Sequence, residues 1–151
     1  MPQATDEITI EPARREDADS IRALLQEHRL PVDDVESHLG SALIARHKGT
    51  VVGCAALEVY PDGVLLRSVA VSPALQGNGV GRRLTDAMVD LARTLESPAL
   101  YLLTTTAQKY FPSFGFEEID RSAVPVSVQA SVEFTSACPS TAIVMRKRLS
   151  G

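Results

Sequence analysis

The stretch Leu65-Leu66-Arg67-Ser68-Val69-Ala70-Val71-Ser72-Pro73-Ala74-Leu75-Gln76-Gly77-Asn78-Gly79-Val80-Gly81-Arg82-Arg83-Leu84 decides how this chain is read. Its apolar first half predicts a buried strand, Pro73 ends it, and a loop with glycine at 77, 79 and 81 leads into a helix. Glycines without Cβ atoms suit a backbone that approaches a ligand closely. The first amides of a helix face outward with the positive end of its dipole behind them. Acidic side chains suit that turn, yet the predicted helix opens with Arg82 and Arg83. Two cations there cost helix stability, so an anion is expected to offset them, most simply a phosphate or pyrophosphate. The spacing is not that of a dinucleotide fold, which also needs an acidic residue about 20 positions on. Nor is it a Walker loop, which ends in Gly-Lys-Ser/Thr. A merely flexible loop stays open on these glycines alone.

At 151 residues the chain is expected to form one domain, residues 1–151. A chain of that size buries about 70% of its unfolded surface. A net charge of −4 and a pI of about 5.3 argue against nucleic acid as a partner. No apolar run approaches the ~20 residues of a membrane span. The opening Met1 to Glu7 is polar and acidic, unlike a signal peptide. Two cysteines, Cys54 and Cys138, make no disulfide framework, and a cytoplasmic location with reduced thiols is expected.

Outward from the opening stretch, Ile8 to Ala13 alternates as a strand and Glu16 to Leu30 is an amphipathic helix with Ile21, Leu24, Leu25 and His28 on one face. A short second helix, capped by Asp33 or Asp34, is expected to stop at Gly40. Ser41–His47 and Thr50–Tyr60 form a hairpin across Lys48-Gly49. The helix after the loop carries Leu84, Met88, Leu91 and Leu95 on its buried face, and Ser97-Pro98 stops it. Leu100–Thr104 reads as a strand, about Ala107–Phe114 as a short helix, and Glu117–Arg121 and Thr141–Leu149 as strands. Ser122–Ser140 is ambiguous; Pro125 is suited to start a helix, but β-branched residues oppose one. The expectation is an α/β (α+β) chain with a mixed, mostly antiparallel sheet of about seven strands and about four helices.

Gln76-x-x-Gly79-x-Gly81 after a Val-Ala-Val strand resembles the coenzyme A loop of the GNAT N-acetyltransferases, and the element order resembles theirs from end to end. Within that family the chain is most similar to acetyltransferases encoded beside arsenic-resistance genes. That likeness lies in Leu65–Val71, Leu100–Ala107, Phe114-Gly115-Phe116, Glu133-Phe134, Cys138-Pro139 and Met145–Lys147. The Leu-Thr-Thr strand end and the aromatic pair before Gly-Phe also resemble bacterial N-acetylglutamate synthases. The resemblance implies acetyl-CoA as cofactor and central strands that splay to admit pantetheine. It places Val69, Ala70 and Val71 beside pantetheine, the amides of Gly77, Asn78, Gly79, Val80, Gly81 and Arg82 on the pyrophosphate, with Gln76, Thr104 and Phe111 completing the cofactor site. Many members pair as dimers, which leaves a homodimer through the last strand and Ser122–Ser140 open.

The implied chemistry is direct attack of a small-molecule amine on the thioester. An alkyl amine is mostly protonated at neutral pH, with a reference pKa of about 10.4, so a base must take its proton. Glu58 is the candidate base, against a reading as a solvated strand end. Arg67 interrupts an apolar strand, which is costly unless it is paired. A substrate carboxylate, an oxyanion or a salt bridge with Glu58 would each suit it. Many relatives carry a general-acid tyrosine four residues before the glycine of Gly-Phe, where this chain has Phe111. Either Tyr110 substitutes or the thiolate leaves unaided. Glu133, Phe134 and Cys138 are candidates for the acceptor wall, and no metal is expected from the scattered His28, His38 and His47. Acceptors are an arsenic-related or amino-acid-like amine, or an amino acid of the glutamate type. A non-catalytic acyl-CoA-binding module is the reading from another class.

Overall fold

The computed structural model describes residues 8–28, 32, 35–73, 79–104, 110–129 and 142–149. Expectations for Gln76, Gly77, Asn78, Glu133, Phe134 and Cys138, and for residues 105–109, lie outside them. Seven strands form one mixed sheet in the order β1-β2-β3-β4-β5-β7-β6. They are β1 Ile8–Pro12, β2 Ala42–His47, β3 Thr50–Tyr60, β4 Gly63–Val71, β5 Ala99–Thr104, β6 Glu117–Ile119 and β7 Ile143–Arg148. The α-helices are α1 Ala18–Glu27, α2 Val80–Thr94 and α3 Val126–Gln129, joined by short 3-10 segments. Contacts divide the chain into two compact units, Met1–Leu57 with Ser68–Met88 and Glu58–Arg67 with Val89–Gly151.

In the first unit β1 runs antiparallel to β2, and β2 to β3. The hairpin turn places Lys48 at φ 51° and Gly49 at φ 82°, the two positive values that let a two-residue loop match strand twist. Ile21, Leu24 and Leu25 of α1 pack against Ile44, Cys54 and Ala70, as their spacing predicts. A Cβ on Gly53 would lie 2.9 Å from Leu84 Cδ1 and 3.3 Å from Val80 Cγ1. That glycine lets the first turns of α2 rest on β3, which fixes where the helix begins.

The structure corrects several local expectations. α2 starts at Val80, so Gly81 lies in its first turn and Arg82 does not open it. Its buried face is Val80, Leu84, Thr85, Met88, Val89 and Ala92, while Leu91 is half-buried and Leu95 is 45% exposed. Small residues, discounted in a hydrophobic count, occupy the side that packs. The helix closes with Glu96 at φ 59°, its amide bonded to Arg93 O and that of Ser97 to Ala92 O. This pair of bonds satisfies the last carbonyls before Pro98 is reached. The second predicted helix is a 3-10 segment, Val35–Ser41, that passes through Gly40. Phe111–Phe114 is also 3-10, β6 ends at Ile119 rather than Arg121, and Pro125 does precede a helix, α3.

In the second unit β4 pairs in parallel with β5 at Val64–Leu100 and Leu65–Tyr101. β7 then lies antiparallel between β5 and β6. Leu65, Ala99, Tyr101, Val124, Val128 and Val144 form its core, with Tyr60 packed against them.

Candidate functional site

The predicted anion cradle is built from backbone. The first i→i−4 bond of α2 runs from Arg83 N–H to Gly79 O at 3.0 Å, so Gly79 stands at the N-cap and the Val80 and Gly81 amides precede the ladder. Gly79 has φ +82°, and a Cβ added to it would meet nothing within 4 Å. A side chain at position 79 would thus begin in open space. With no acidic residue in the turn and exposed Arg82 and Arg83 beside it, the donor set fits a phosphate or pyrophosphate.

The strand leading to the loop is held at three points. Ser68 takes φ 59° in mid-strand, a left-handed value for a residue with a side chain, and Cys54 Sγ donates to its carbonyl at 3.2 Å. Ser72 N–H donates to Val52 O at 2.7 Å. His28, at the end of α1, bonds Val71 O through Nε2 at 2.7 Å. A carbonyl only accepts, so Nε2 carries the proton. His28 thereby ties the end of α1 to the strand. Val69, Ala70 and Val71 therefore sit on a stretch whose path is set by residues distant in sequence. Burial pushes the Cys54 thiol up to about 12, against a smaller opposing bond with the Ala70 backbone, so it stays a protonated packing group at neutral pH.

The second cluster consists of side chains. Glu58 and Arg67 form an ion pair, Arg67 Nη1 to Glu58 Oε2 at 2.6 Å, with both side chains only 2% exposed. Of the alternatives for Arg67, the structure shows the bridge to Glu58. Tyr60 donates its hydroxyl to Glu58 Oε1. Both carboxylate oxygens thus have a donor, which offsets part of the cost of burying the charge. Tyr60 carries no predicted role, although two-residue spacing on one strand puts it on the face of Glu58. Thr104 closes β5 and is half-buried.

Tyr110 and Phe111 belong to an aromatic group. Tyr110 meets Phe111 and Phe114 edge-on at centroid distances of 5.2 and 5.1 Å, and Phe111 meets Phe116 at 5.6 Å. Phe111 is buried, whereas Tyr110 is 40% exposed. Gly115 at φ 92° turns the chain out of this group.

The acetyltransferase (GNAT) domain family matches residues 38–118, more than half of the chain. The chain belongs to the GNAT family. Its seven-stranded sheet is the GNAT fold. An amino-acid acetyltransferase of Mycobacterium tuberculosis is 38% identical over 81 residues, 53% of this chain and 46% of that protein. N-acetylglutamate synthase from Neisseria gonorrhoeae, complexed with coenzyme A and N-acetyl-glutamate, superposes with a TM-score of 0.82 at 26% identity, over 95% of this chain and 35% of that one. Rv2747 from Mycobacterium tuberculosis, in complex with CoA, gives a TM-score of 0.81 at 25% identity over 93% and 99%. The GNAT chain spans less than half the length of the amino-acid acetyltransferases it matches. Among the described residues no helix is long and apolar enough to cross a membrane.

Proposed function

We propose that the chain acts as a single acetyl-CoA-dependent N-acetyltransferase domain, residues 1–151, on the amine of a small amino-acid-like molecule. The observation that carries this reading is the left-handed, open Gly79 at the start of α2, directly after β4. Acetyl-CoA supplies an activated acyl thioester. Backbone amides of Val80 and Gly81, with Arg82, grip the pyrophosphate, and the Gly77 and Asn78 amides and Gln76 extend the grip. Val69, Ala70 and Val71 offer strand edges to pantetheine, a form of strand addition. Thr104 and Phe111 complete the cofactor wall.

Glu58 is the base that frees the amine lone pair, and Arg67, bonded to its Oε2, is the second catalytic candidate. The thiolate, with a pKa near ~8.5 by analogy with cysteine, leaves with little help. Tyr110, partly exposed, is the candidate acid should help be required. The acceptor reading favours an α-amino acid of the glutamate type, because amino-acid acetyltransferases and an N-acetylglutamate synthase are similar to this chain. An arsenic-related toxic amine is the second reading, supported by the short matches from Leu65–Val71 to Met145–Lys147. A cytoplasmic location and a homodimer complete the proposal.

Thiol release from acetyl-CoA is to be followed with a panel of amino acids and an arsenic-containing amine. Turnover with one of them is the expected result. Coenzyme A binding without turnover of any amine would replace the enzyme with a binding module, and absent binding would remove the cofactor reading.

A further inference from the structure

Glu58 poses a difficulty for its own role. It is 2% exposed, its Oε2 faces Arg67 and its Oε1 faces the Tyr60 hydroxyl. Burial at this depth leaves a diffusing ammonium little direct access to either oxygen. Tyr60 is different. Its ring packs against the Leu65, Tyr101 and Val124 core, yet the residue keeps partial exposure at the end of β3. Its hydroxyl bonds the buried carboxylate while the residue itself is partly exposed, and a phenol both donates and accepts.

We propose that Tyr60 is a catalytic proton relay between the acceptor amine and Glu58. This rests on the reading of Glu58 as the base. As the ammonium N–H bond breaks, its proton forms a new O–H bond on Tyr60 Oη. The original phenolic O–H breaks in the same motion and its proton forms an O–H bond on Glu58 Oε1. The nitrogen keeps the bonding pair for attack, Tyr60 ends neutral as it began, and Glu58 ends as the neutral acid beside a still cationic Arg67. After product departure the proton returns to water by the reverse path. No oxidant or further reactant is needed.

The test uses Tyr60→Phe, which keeps the packed ring, beside Glu58→Gln and the double variant. The acceptor is whichever amino acid of the panel turns over, compared with its analogue fluorinated beside the amine-bearing carbon, whose nitrogen is less basic and carries its extra proton less often. Tyr60→Phe is expected to lower kcat about 100-fold with the parent acceptor, in the range of general acid–base effects. The KM for acetyl-CoA and the Kd for coenzyme A, read by calorimetry, stay at wild-type values. With the fluorinated acceptor the deficit shrinks below about tenfold, because less proton removal is required. The double variant is no slower than Glu58→Gln, as expected for groups on one path. A Tyr60→Phe deficit equal for both acceptors, or a kcat close to wild type, overturns the relay. If Glu58→Gln is slow and Tyr60→Phe is not, the relay alone falls. If Glu58→Gln is also unimpaired, the base reading falls with it.

Discussion

The two candidate clusters, one in each compact unit, are made of different material. The anion cradle at Gly79 is almost entirely main chain, and its side chains matter chiefly where one is missing. The cluster at Glu58 is almost entirely side chain, with three polar groups on two strands engaging one another out of water. A main-chain site tolerates substitution except at the residue whose φ it needs, whereas a buried ion pair tolerates the loss of neither partner alone. That asymmetry is open to attack from both sides.

The largest effect is expected at the pair. Arg67→Ala leaves a buried carboxylate without its cation and is predicted to cost about 3–5 kcal/mol, read from urea denaturation. Replacing both partners with apolar residues, Glu58→Leu with Arg67→Met, is predicted to recover most of that stability while abolishing turnover. A single variant as stable as wild type would mean that the pair is not isolated from solvent as its 2% exposure indicates.

At the cradle the expectation is smaller for the fold and sharp for the ligand. Gly79→Val forces a β-branched residue to φ +82°, a backbone strain of about 1–3 kcal/mol, and puts methyl groups into the open space. Coenzyme A affinity, measured by calorimetry, should drop at least about tenfold, the equivalent of 1.4 kcal/mol. Gly79→Asn, which tolerates the left-handed region, should retain the fold better while still weakening binding. Unchanged affinity in Gly79→Val would remove the pyrophosphate assignment.

The same contrast explains what could be read from the chain. The turn at Gly79 was legible because a positive φ calls for a residue identity, glycine, next to a strand and a helix that each show their own period. The Glu58–Arg67 contact was legible only as a possibility, since a charge in an apolar strand announces a partner without naming it. Tyr60 carries no mark of its own, since only the two-residue alternation of β3 sets it on the face of Glu58. The face of α2 was misjudged by its outer residues: Thr85 and Ala92 are fully buried, and neither is conspicuous in an apolar count. Ser68 at φ 59° has no local signal at all. Its carbonyl is met by Cys54 on another strand, and only tertiary structure supplies that contact.

Packed against α1, the Cys54 thiol should make the fold sensitive to alkali. Its ordinary value near 9 is raised to about 12 by burial, so the unfolded chain loses this proton first as pH rises. Stability is whole below pH 9 and falls through the interval up to about 12. The slope there approaches about 1.4 kcal/mol per pH unit, since the native state binds the extra proton. Cys54→Ala should remove that slope relative to wild type in denaturation series at pH 9, 10 and 11. An unaltered slope would assign it to other groups.

The smallest expected effect lies at the start of α1. Asp17 is buried, which opposes its charge, but the Arg14 amide and the Arg46 guanidinium outweigh burial and hold its carboxyl below the ordinary 3.8. The bonds are short, 2.9 Å from Arg14 N and 3.0 Å from Arg46 Nη2. A lowered native pKa means that this stabilisation is present above pH 3.8 and is lost as acid protonates the group through its depressed value. Asp17→Asn should therefore lower stability at pH 7 and lower it less at pH 3, where the wild type has begun to lose the same interaction. Coenzyme A affinity at pH 7 should not change. If it fell along with stability, the order of β1, β2 and α1 would be coupled to the cradle, and the main-chain site would prove less self-sufficient than its glycine suggests.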